Sequence, residues 1–492
     1  MQLYDKDLLS VQEVRELVEK AKAAQEELSQ KSQAEVDAIV KSIAYAGVRN
    51  AKRLAKLAHE ETGFGIEADK VIKNIFGSRD VYEHIKDMKT IGELGYDEEK
   101  KVRTIAVPVG VIAGLIPSTN PTSTAFYKSE ISIKAGNAIV FSPHPNARNC
   151  ILEAVKVIRQ AIAEAGGNEN LVSCITIPTI QATDNLMKHP DVALILATGG
   201  SAMVRAAYSS GTPAIGVGPG NGPAYIEKTA DLPLAVKRIM DSKTFDNGTI
   251  CASEQSVVCD KDMEDAVRAE MEKQGAYFLT DEQIAKLGKF ILRANGTMNP
   301  MIVGKSAQVI ADLAGIDIPA GTKVLVAKET GIGRGHPYSN EKLAPILAFY
   351  TADDYKEICR LVQDILHYEG AGHTFSMHTK DDRMVEYFAE RMPASRIIIN
   401  SPSALGGIGA STALMPALTL GCGAIGGSAT SENVGPMNLL NLKHVAYGLR
   451  EMEEIRGAAA KEQNCCGAEK KVSADKVDEI VAEIIARIQS AK

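Results

Sequence analysis

Chemistry in this chain is first suggested by a thiol set among turn-forming residues. Cys251 lies in "FDNGTICASEQS", directly after a small Asn-Gly-Thr segment. A nucleophilic cysteine needs access, nearby backbone N–H groups and a thiol that can lose its proton. A cysteine at an arbitrary place is more often a small buried hydrophobe, and Cys150, Cys174, Cys259, Cys359 and Cys422 are read that way. Asn120, in "IPSTNPTSTAFYK", follows an apolar run where a turn exposes its amide. Asparagine there is ordinarily a turn former; it equally supplies the N–H donor that a tetrahedral oxyanion requires. "LILATGGSAMVRAAY" runs from a strand through Thr198, Gly199, Gly200 and Ser201 into a helix, where backbone amides could meet a phosphate or ribose. It is not the G-x-G-x-x-G fingerprint, and strand-Gly-Gly-helix turns are common. From Gly216 to Ala224, four glycines and two prolines fall in nine residues: a loop, or backbone passing close to a ligand.

The elements that must position these residues change texture along the chain. Residues 1 to about 90 read as helical, with Ser10 and Glu13 in the S-x-x-E pattern of a capping box and Val11, Val14, Leu17, Val18 and Ala21 at helical spacing. From Val102 the chain becomes rich in β-branched residues punctuated by Gly and Pro. Up to about 225, the apolar runs "NAIVFSP", "LVSCITIP" and "VALILATGG" alternate with helical stretches such as Cys150 to Glu164. Such alternation predicts an α/β fold with a doubly wound, mostly parallel sheet. Residues 226 to about 430 repeat it with "AYFLT", "KVLVAK", "LAFY" and "SRIIIN" as strands, so two α/β domains with a cleft between them are expected. "RGAAAKEQNCCGAEKK" reads as a linker. Ser473 then caps a helix with Val477, Ile480, Val481, Ile484, Ile485 and Ile488 on one stripe.

Composition bounds the function. At 492 residues, two to four domains are expected. A net charge of -7 argues against nucleic-acid binding, which needs concentrated Lys and Arg. No apolar run approaches the roughly 20 residues that span a bilayer, so no membrane partner is expected. The first 13 residues carry mixed charges and no secretory apolar core, and the eight cysteines are irregularly spaced, as in reduced cytoplasmic proteins. Neither close cysteine pair, Cys251/Cys259 or Cys465/Cys466, has zinc-ligand spacing, so no metal is expected.

The four chemical stretches, taken together and in order, resemble the aldehyde dehydrogenase superfamily, and within it the CoA-acylating acetaldehyde/propionaldehyde dehydrogenases. The likeness runs from about Asp5 to Arg450 and is carried by "LIPSTNPTSTAFYK", "FDNGTICASEQS", "HPYSNEKLAPILAFY", "GHTFSMHT", "NSPSALGGIGAST" and "NVGPMNLLNLKHVAYG". It implies a Rossmann-type cofactor domain, an α/β catalytic domain and a small oligomerisation extension. The expected boundaries are 1–225 for the helices and NAD-binding domain, with oligomerisation strands near 95–110, and 226–430 for the catalytic domain. A return segment and oligomerisation strand occupy 431–455, a linker 456–472 and the amphipathic helix 473–492. The resemblance makes Cys251 the nucleophile and Asn120 the oxyanion donor. Glu341, in a Glu-x-x-x-Pro pattern, would hold the nicotinamide ribose. Thr198, Gly199, Gly200, Ser201, Pro117, Ser118, Ser142, Gly218 and Gly220 would line the cofactor site. His373 matches a histidine near the active site of the acylating branch; a structural, hydrogen-bonded histidine is the other reading.

Departures from the family pattern are informative. Hydrolytic members carry a water-activating Glu in Glu-Leu-Gly-Gly-Lys, whereas this chain has "GVGPGNGP", with no carboxylate between Ile215 and Ile226. Coenzyme A is then expected to take the acyl group, giving reversible oxidation of a short aldehyde to acyl-CoA. The alternatives are a hydrolytic enzyme releasing the free acid and an inactive cargo or scaffold protein. Hydrolytic members also place Lys before Pro where this chain has Ser142, which leaves NAD and NADP both open as cofactor. Small residues Ser403, Ala404, Gly406 and Gly407 suggest a compact pocket for acetaldehyde or propionaldehyde, with sulfoacetaldehyde or a semialdehyde still open. The family implies a homodimer or homotetramer. The terminal helix resembles the encapsulation peptides of bacterial microcompartment enzymes, which would dock on a shell protein; an ordinary terminal helix is the alternative.

Overall fold

The computed structural model of the chain describes residues 5–457 and 474–490. Two compact units emerge, one of Met1–Leu94 with Ala106–Leu442, the other of Gly95–Ile105 with Lys443–Lys492.

The larger unit opens with α1 (Lys6–Leu28), α2 (Gln33–Thr62) and α3 (Glu67–Ile75), the last continuing through a π turn into α4 (Val81–Ile85). The expected capping box at Ser10 is corrected. Asp5 caps α1 by accepting from Asp7 N and Leu8 N. Ser10 lies inside the helix, its hydroxyl 2.7 Å from Thr179 Oγ1, and Glu13 accepts from Thr176 N and Ile177 N. Both side chains are engaged by a distant segment, which local pattern cannot foresee. A capping box does form at Ser32 and Glu35, at the head of α2. Val14, Val18, Ile39 and Ile43 from these helices join one apolar core with the strands described next.

Strands β1 (Gly92–Asp97) and β2 (Val102–Pro108) form a three-stranded sheet with β15 (Leu440–Ala446), in the order β1-β2-β15. β3 (Val111–Ile116), β4 (Ala138–Pro143), β5 (Val172–Cys174), β6 (Val192–Thr198) and β7 (Ala214–Val217) form a second sheet. Its order is β5-β4-β3-β6-β7 and all neighbours are parallel. This is the doubly wound arrangement, with strand order reversing between β3 and β6; ligands of such sheets bind outside the carboxyl ends of strands at that reversal. Helix α5 (Pro121–Lys134), leaving β3, is buried along its whole length. It is followed by α6 (Arg148–Glu164), α7 (Ile180–Met187) and α8 (Ser201–Ser209).

The third sheet holds β8 (Gly222–Ile226), β9 (Glu254–Asp260), β10 (Ala276–Phe278), β11 (Val324–Lys328), β12 (Ile346–Ala352), β13 (Gly372–His378) and β14 (Ala394–Ile399). The order is β10-β11-β12-β9-β8-β13-β14, again parallel throughout. The α/β class and the predicted strands β4, β5, β6, β10, β11, β12 and β14 are therefore present. Three adjacent inner strands, β9, β8 and β13, were not predicted. They are buried residue after residue although they contain Glu254, Gln255, His373 and Thr374, so they show no apolar run to read.

In the smaller unit the terminal helix spans Ala474–Gln489. Val477, Ile480, Val481, Ile484 and Ile485 are all exposed on it. The predicted cap Ser473 lies outside the described residues, as does most of the predicted linker. Among the described residues no helix is long and apolar enough to cross a membrane.

Candidate active site

The turn before the nucleophile candidate is the most constrained backbone of this region. Asp246 (φ 49°, ψ 36°) and Asn247 (φ 53°, ψ 39°) are left-handed, followed by Gly248 at φ 73°. The left-handed region costs an L-residue roughly 1–2 kcal/mol, so the surroundings must hold it. The Asp246 carboxylate accepts from Ile66 N at 2.6 Å, Lys70 Nζ at 3.0 Å, Lys73 Nζ at 2.5 Å and Thr249 Oγ1 at 2.7 Å. Its own N–H donates to Asp69 Oδ2 at 2.7 Å, and Asn247 Nδ2 donates to Gly304 O at 2.9 Å. Gly65 makes room for this carboxylate: a Cβ there would lie 1.8 Å from Asp246 Oδ1. Two residues after Thr249 comes Cys251, half-buried, at the entry to β9.

Asn120 ends the turn between β3 and α5 and occupies the helix N-cap, but its side chain makes no cap bond. Instead its Oδ1 accepts from Lys73 Nζ at 2.6 Å, while Nδ2 reaches Thr119 Oγ1 at 3.2 Å and Thr249 O at 3.5 Å. An ammonium can only donate, so the bond to Lys73 defines which amide atom is oxygen and turns the NH2 toward the segment leading to Cys251.

Gly220 meets the same place from the loop between β7 and β8. A Cβ on Gly220 would lie 1.9 Å from Cys251 O and 3.2 Å from His373 Cε1, so these three residues are in close approach. Gly220 N donates to Glu341 Oε1 at 2.9 Å, which adds Glu341 to the group. His373, at the head of β13, is fully buried; its Nδ1 pairs with Thr374 Oγ1 at 2.9 Å and its Nε2 has no partner. Burial, helped by Arg396, pushes the imidazole down to about 3, so it is neutral at ordinary pH. Burial pushes the Cys251 thiol up to about 12, with Glu341 and Cys422 adding to the effect and Arg396 opposing it. Burial and Glu369 raise Glu341 to about 8, against the Gly220 N–H, Lys243 and Lys342.

The remaining predicted residues lie along one edge of the five-stranded sheet. Pro117 and Ser118 follow β3, Ser142 is near the end of β4, and Thr198 ends β6, so three adjacent strands present them at their carboxyl ends. Thr198 Oγ1 lies 2.9 Å from Thr419 Oγ1. Ser142 is buried, with its hydroxyl 2.8 Å from Thr183 Oγ1. Gly199 and Gly200 lead into Ser201 at the start of α8, whose N-cap Gly200 offers no side-chain cap. Met203 N donates to Gly200 O at 2.9 Å, so the amides of Ser201 and Ala202 are the ones left for an oxygen-rich ligand, and a Cβ on Gly200 would meet nothing within 4 Å. An uncapped helix start at the reversal point of a doubly wound sheet fits a dinucleotide phosphate. Gly218 is half-buried, two residues before Gly220.

Sequence reasoning missed Lys73, Asp246 and Arg396. Arg396 is buried in β14 and donates to His373 O at 2.8 Å and Gly372 O at 3.3 Å. A charged residue inside the predicted strand "SRIIIN" was the available signal. Lys73 sits in a helix of ordinary composition and gave none. The small residues read as pocket lining have another use. A Cβ on Gly406 would lie 2.6 Å from Ile398 Cγ2 and one on Gly407 2.8 Å from Ala252 Cβ, so their smallness serves close packing beside the nucleophile.

The profile of the aldehyde dehydrogenase family matches residues 3–413, and the chain belongs to that family. It is 46% identical over 448 residues to a bifunctional aldehyde-alcohol dehydrogenase of Escherichia coli, covering 90% of this chain but 50% of that protein. The chain thus spans about half the length of such bifunctional relatives. With the acetylating succinate-semialdehyde dehydrogenase of Clostridium kluyveri it shares 37% identity, over 90% of this chain and 99% of that one. Among solved structures, an acetylating aldehyde dehydrogenase from Geobacillus thermoglucosidasius aligns with TM-score 0.90 and 52% identity, over 92% and 99% of the two chains. A propionaldehyde dehydrogenase from a Clostridium phytofermentans fucose utilisation microcompartment aligns with TM-score 0.80 and 27% identity, over 88% and 97%. That from Rhodopseudomonas palustris, solved with bound CoA and an acylated cysteine, aligns with TM-score 0.79 and 28% identity, over 88% and 97%. Among these relatives, two are acetylating aldehyde dehydrogenases and one was solved with CoA and an acylated cysteine.

Proposed function

We propose that this chain is an NAD(P)-dependent, CoA-acylating aldehyde dehydrogenase that converts a short aldehyde to its acyl-CoA, and the reverse, through a thioester on Cys251. One observation carries the reading: the backbone of Gly220, in the segment where hydrolytic members keep their water-activating Glu, lies directly against Cys251. That segment has no carboxylate, and the carboxyl group that reaches it, Glu341, is held by the Gly220 N–H at 2.9 Å. Water then lacks a base, and a thiol is the better acceptor.

Cys251 gives its proton to solvent and the thiolate adds to the aldehyde carbon, and the oxyanion that forms takes hydrogen bonds from Asn120 Nδ2 and the local backbone. Each such donor lowers the barrier by about 3 kcal/mol. The nicotinamide cofactor supplies the hydride acceptor, and the residues suited to hold it are Pro117, Ser118, Ser142, Thr198, Gly199, Gly200, Ser201, Gly218, Gly220 and Glu341. The sulfur of CoA then attacks the acyl carbon, the carbon–Sγ bond to Cys251 breaks, and the CoA thiol proton ends on Cys251. His373, whose Nε2 has no partner, lies against Gly220 and is the imidazole placed to meet the incoming thiol. The five-stranded sheet serves as the cofactor domain and the seven-stranded sheet as the catalytic one.

Acetaldehyde and propionaldehyde are the first substrates to test. A homodimer or homotetramer forms through the three-stranded sheet, where Tyr96, Leu442 and Val445 are exposed. The exposed Ile/Val stripe of the terminal helix supports docking on a microcompartment shell protein, with the enzyme otherwise in the cytoplasm. Removing residues 464–492 should then keep activity and abolish co-purification with shells.

The test is NADH formation from acetaldehyde or propionaldehyde with and without CoA. Multiple turnovers that require CoA and yield acyl-CoA support the proposal. Steady NADH without CoA, with free acid as product, refutes it.

A further inference from the structure

We propose that Lys73 is the positioning residue of the oxyanion site: its ammonium holds Asn120 by the amide oxygen and ties it to the turn that presents Cys251. The inference rests on the acylating reading above.

Lys73 is buried, and its ammonium has three partners: Asn120 Oδ1 at 2.6 Å, Asp246 Oδ2 at 2.5 Å and Thr249 Oγ1 at 2.9 Å. A lysine ammonium has three N–H donors, so each is committed to a fixed atom. Three consequences follow for Asn120. A primary amide can turn over and exchange its acceptor for its donors, and beside an ammonium the flipped state would set N–H against N–H. Lys73 therefore selects the state in which the NH2 faces the nucleophile segment. A charged donor on Oδ1 also makes the shorter, stronger kind of hydrogen bond and polarises the amide, which strengthens Nδ2 as a donor. Finally, the same ammonium grips Asp246 and Thr249, so donor and nucleophile share one anchor. Lys70, one turn earlier on α3, bonds Asp246 Oδ2 at 3.0 Å and Thr119 O at 3.4 Å, and so braces the turn and the backbone rather than the Asn120 amide. Burial lowers Lys73 to about 8 while Asp246 opposes, which leaves the ammonium charged at neutral pH.

The experiment is a double-mutant cycle read on pre-steady-state NADH formation with aldehyde, NAD and no CoA, which reports acylation alone. Lys73→Met and Asn120→Ala should each slow this phase by about 10²- to 10³-fold, the range for loss of an oxyanion donor. The double variant should be no more than about threefold slower than Asn120→Ala, because without the amide there is nothing left for Lys73 to position. Lys73→Arg, which keeps a cationic donor, should recover at least about tenfold over Lys73→Met. The positioning role is overturned if Lys73→Met acylates within about threefold of wild type, or if the two losses multiply, as a general loss of folding would make them. Should Lys73→Met not fold, Lys73→Gln enters the same cycle under the same criteria. An inactive wild type would refute the proposed function; an active wild type indifferent to Lys73 would refute this inference alone.

Discussion

Gly220→Ala should cripple turnover while leaving most of the fold in place. The added Cβ would lie 1.9 Å from Cys251 O, 2.8 Å from Cys251 C and 3.2 Å from His373 Cε1. Two of these atoms belong to the nucleophile's own backbone, which cannot swing aside as a flexible side chain would. Gly220 is not among the left-handed glycines, so alanine brings no backbone strain and the effect is steric. Reaching ordinary contact at 3.4 Å requires an opening of about 1.5 Å between the Gly220 loop and Cys251, and a misplacement of about 1 Å can cost 10²-fold in rate. A loss of about 10²- to 10³-fold in kcat/KM is expected, roughly 3–4 kcal/mol of transition-state stabilisation. The stability loss should stay within the roughly 1–3 kcal/mol of a local overpacking. Steady-state kinetics with saturating NAD and CoA, alongside a urea unfolding curve on the same preparation, separate the two effects. Activity within about threefold of wild type, with an unchanged unfolding midpoint, would mean that Gly220 does not press on Cys251 in the working enzyme and would remove the observation on which the acylating reading rests.

Three further outcomes are expected. With the thiol pushed up to about 12 in the free protein, the reactive thiolate of Cys251 is a fraction of about 10⁻⁵ at pH 7. Alkylation by iodoacetamide should therefore rise tenfold per pH unit up to pH 9, and a plateau near neutrality would contradict the uncharged thiol. Gly200→Ala adds a methyl that meets no protein atom within 4 Å, so stability should change by less than about 1 kcal/mol while KM for NAD rises at least about fivefold. An unchanged KM would mean that no ligand approaches the start of α8. Gly65→Ala, at φ +69° and with its Cβ 1.8 Å from Asp246 Oδ1, should lower unfolding stability by at least about 2 kcal/mol in urea titrations; a neutral effect would show that the Asp246 turn has slack.

The fold was legible where burial is apolar and local. Strands β4, β6, β11 and β12 are Val-, Ile-, Leu- and Ala-rich runs, and the order of strands and helices around the five-stranded sheet implied its doubly wound form. The strands that carry the site hid for the opposite reason. β8 begins Gly-Pro, β9 begins Glu-Gln-Ser and β13 begins Gly-His-Thr, at the ends facing Gly220, Cys251 and the Gly370 turn. Their polar groups are supported by other segments: Glu254 accepts from Ser403 N at 2.9 Å, and Gln255 Oε1 from Lys342 N at 2.9 Å and Lys243 Nζ at 3.0 Å. A strand that buries polar side chains against remote segments shows neither alternation nor a long apolar run.

The same contrast governs the site. Cys251, Asn120, Glu341 and His373 could be chosen because each is a residue whose type can do chemistry, set in a recognisable segment. Lys73 and Asp246 have no such mark: they are separated by 173 residues, and their meaning lies in that pairing. A lysine on a helix is by default a solvated surface charge, and Lys73 escapes that default only because the Asp246 turn delivers a carboxylate to it. The turn in turn depends on Gly65 leaving space for that carboxylate and on Lys70 and Lys73 neutralising it. Asp and Asn are among the few L-residues that visit the left-handed region, so local propensity permits the Asp246–Asn247 turn and the long-range ion cluster holds it in place. Such a turn is retained where the surroundings over-determine it. Here the surroundings that do so are the ones that orient the Asn120 amide, so the geometry of the oxyanion donor and the conformation of the nucleophile's turn are set by one buried ion cluster and should be lost together.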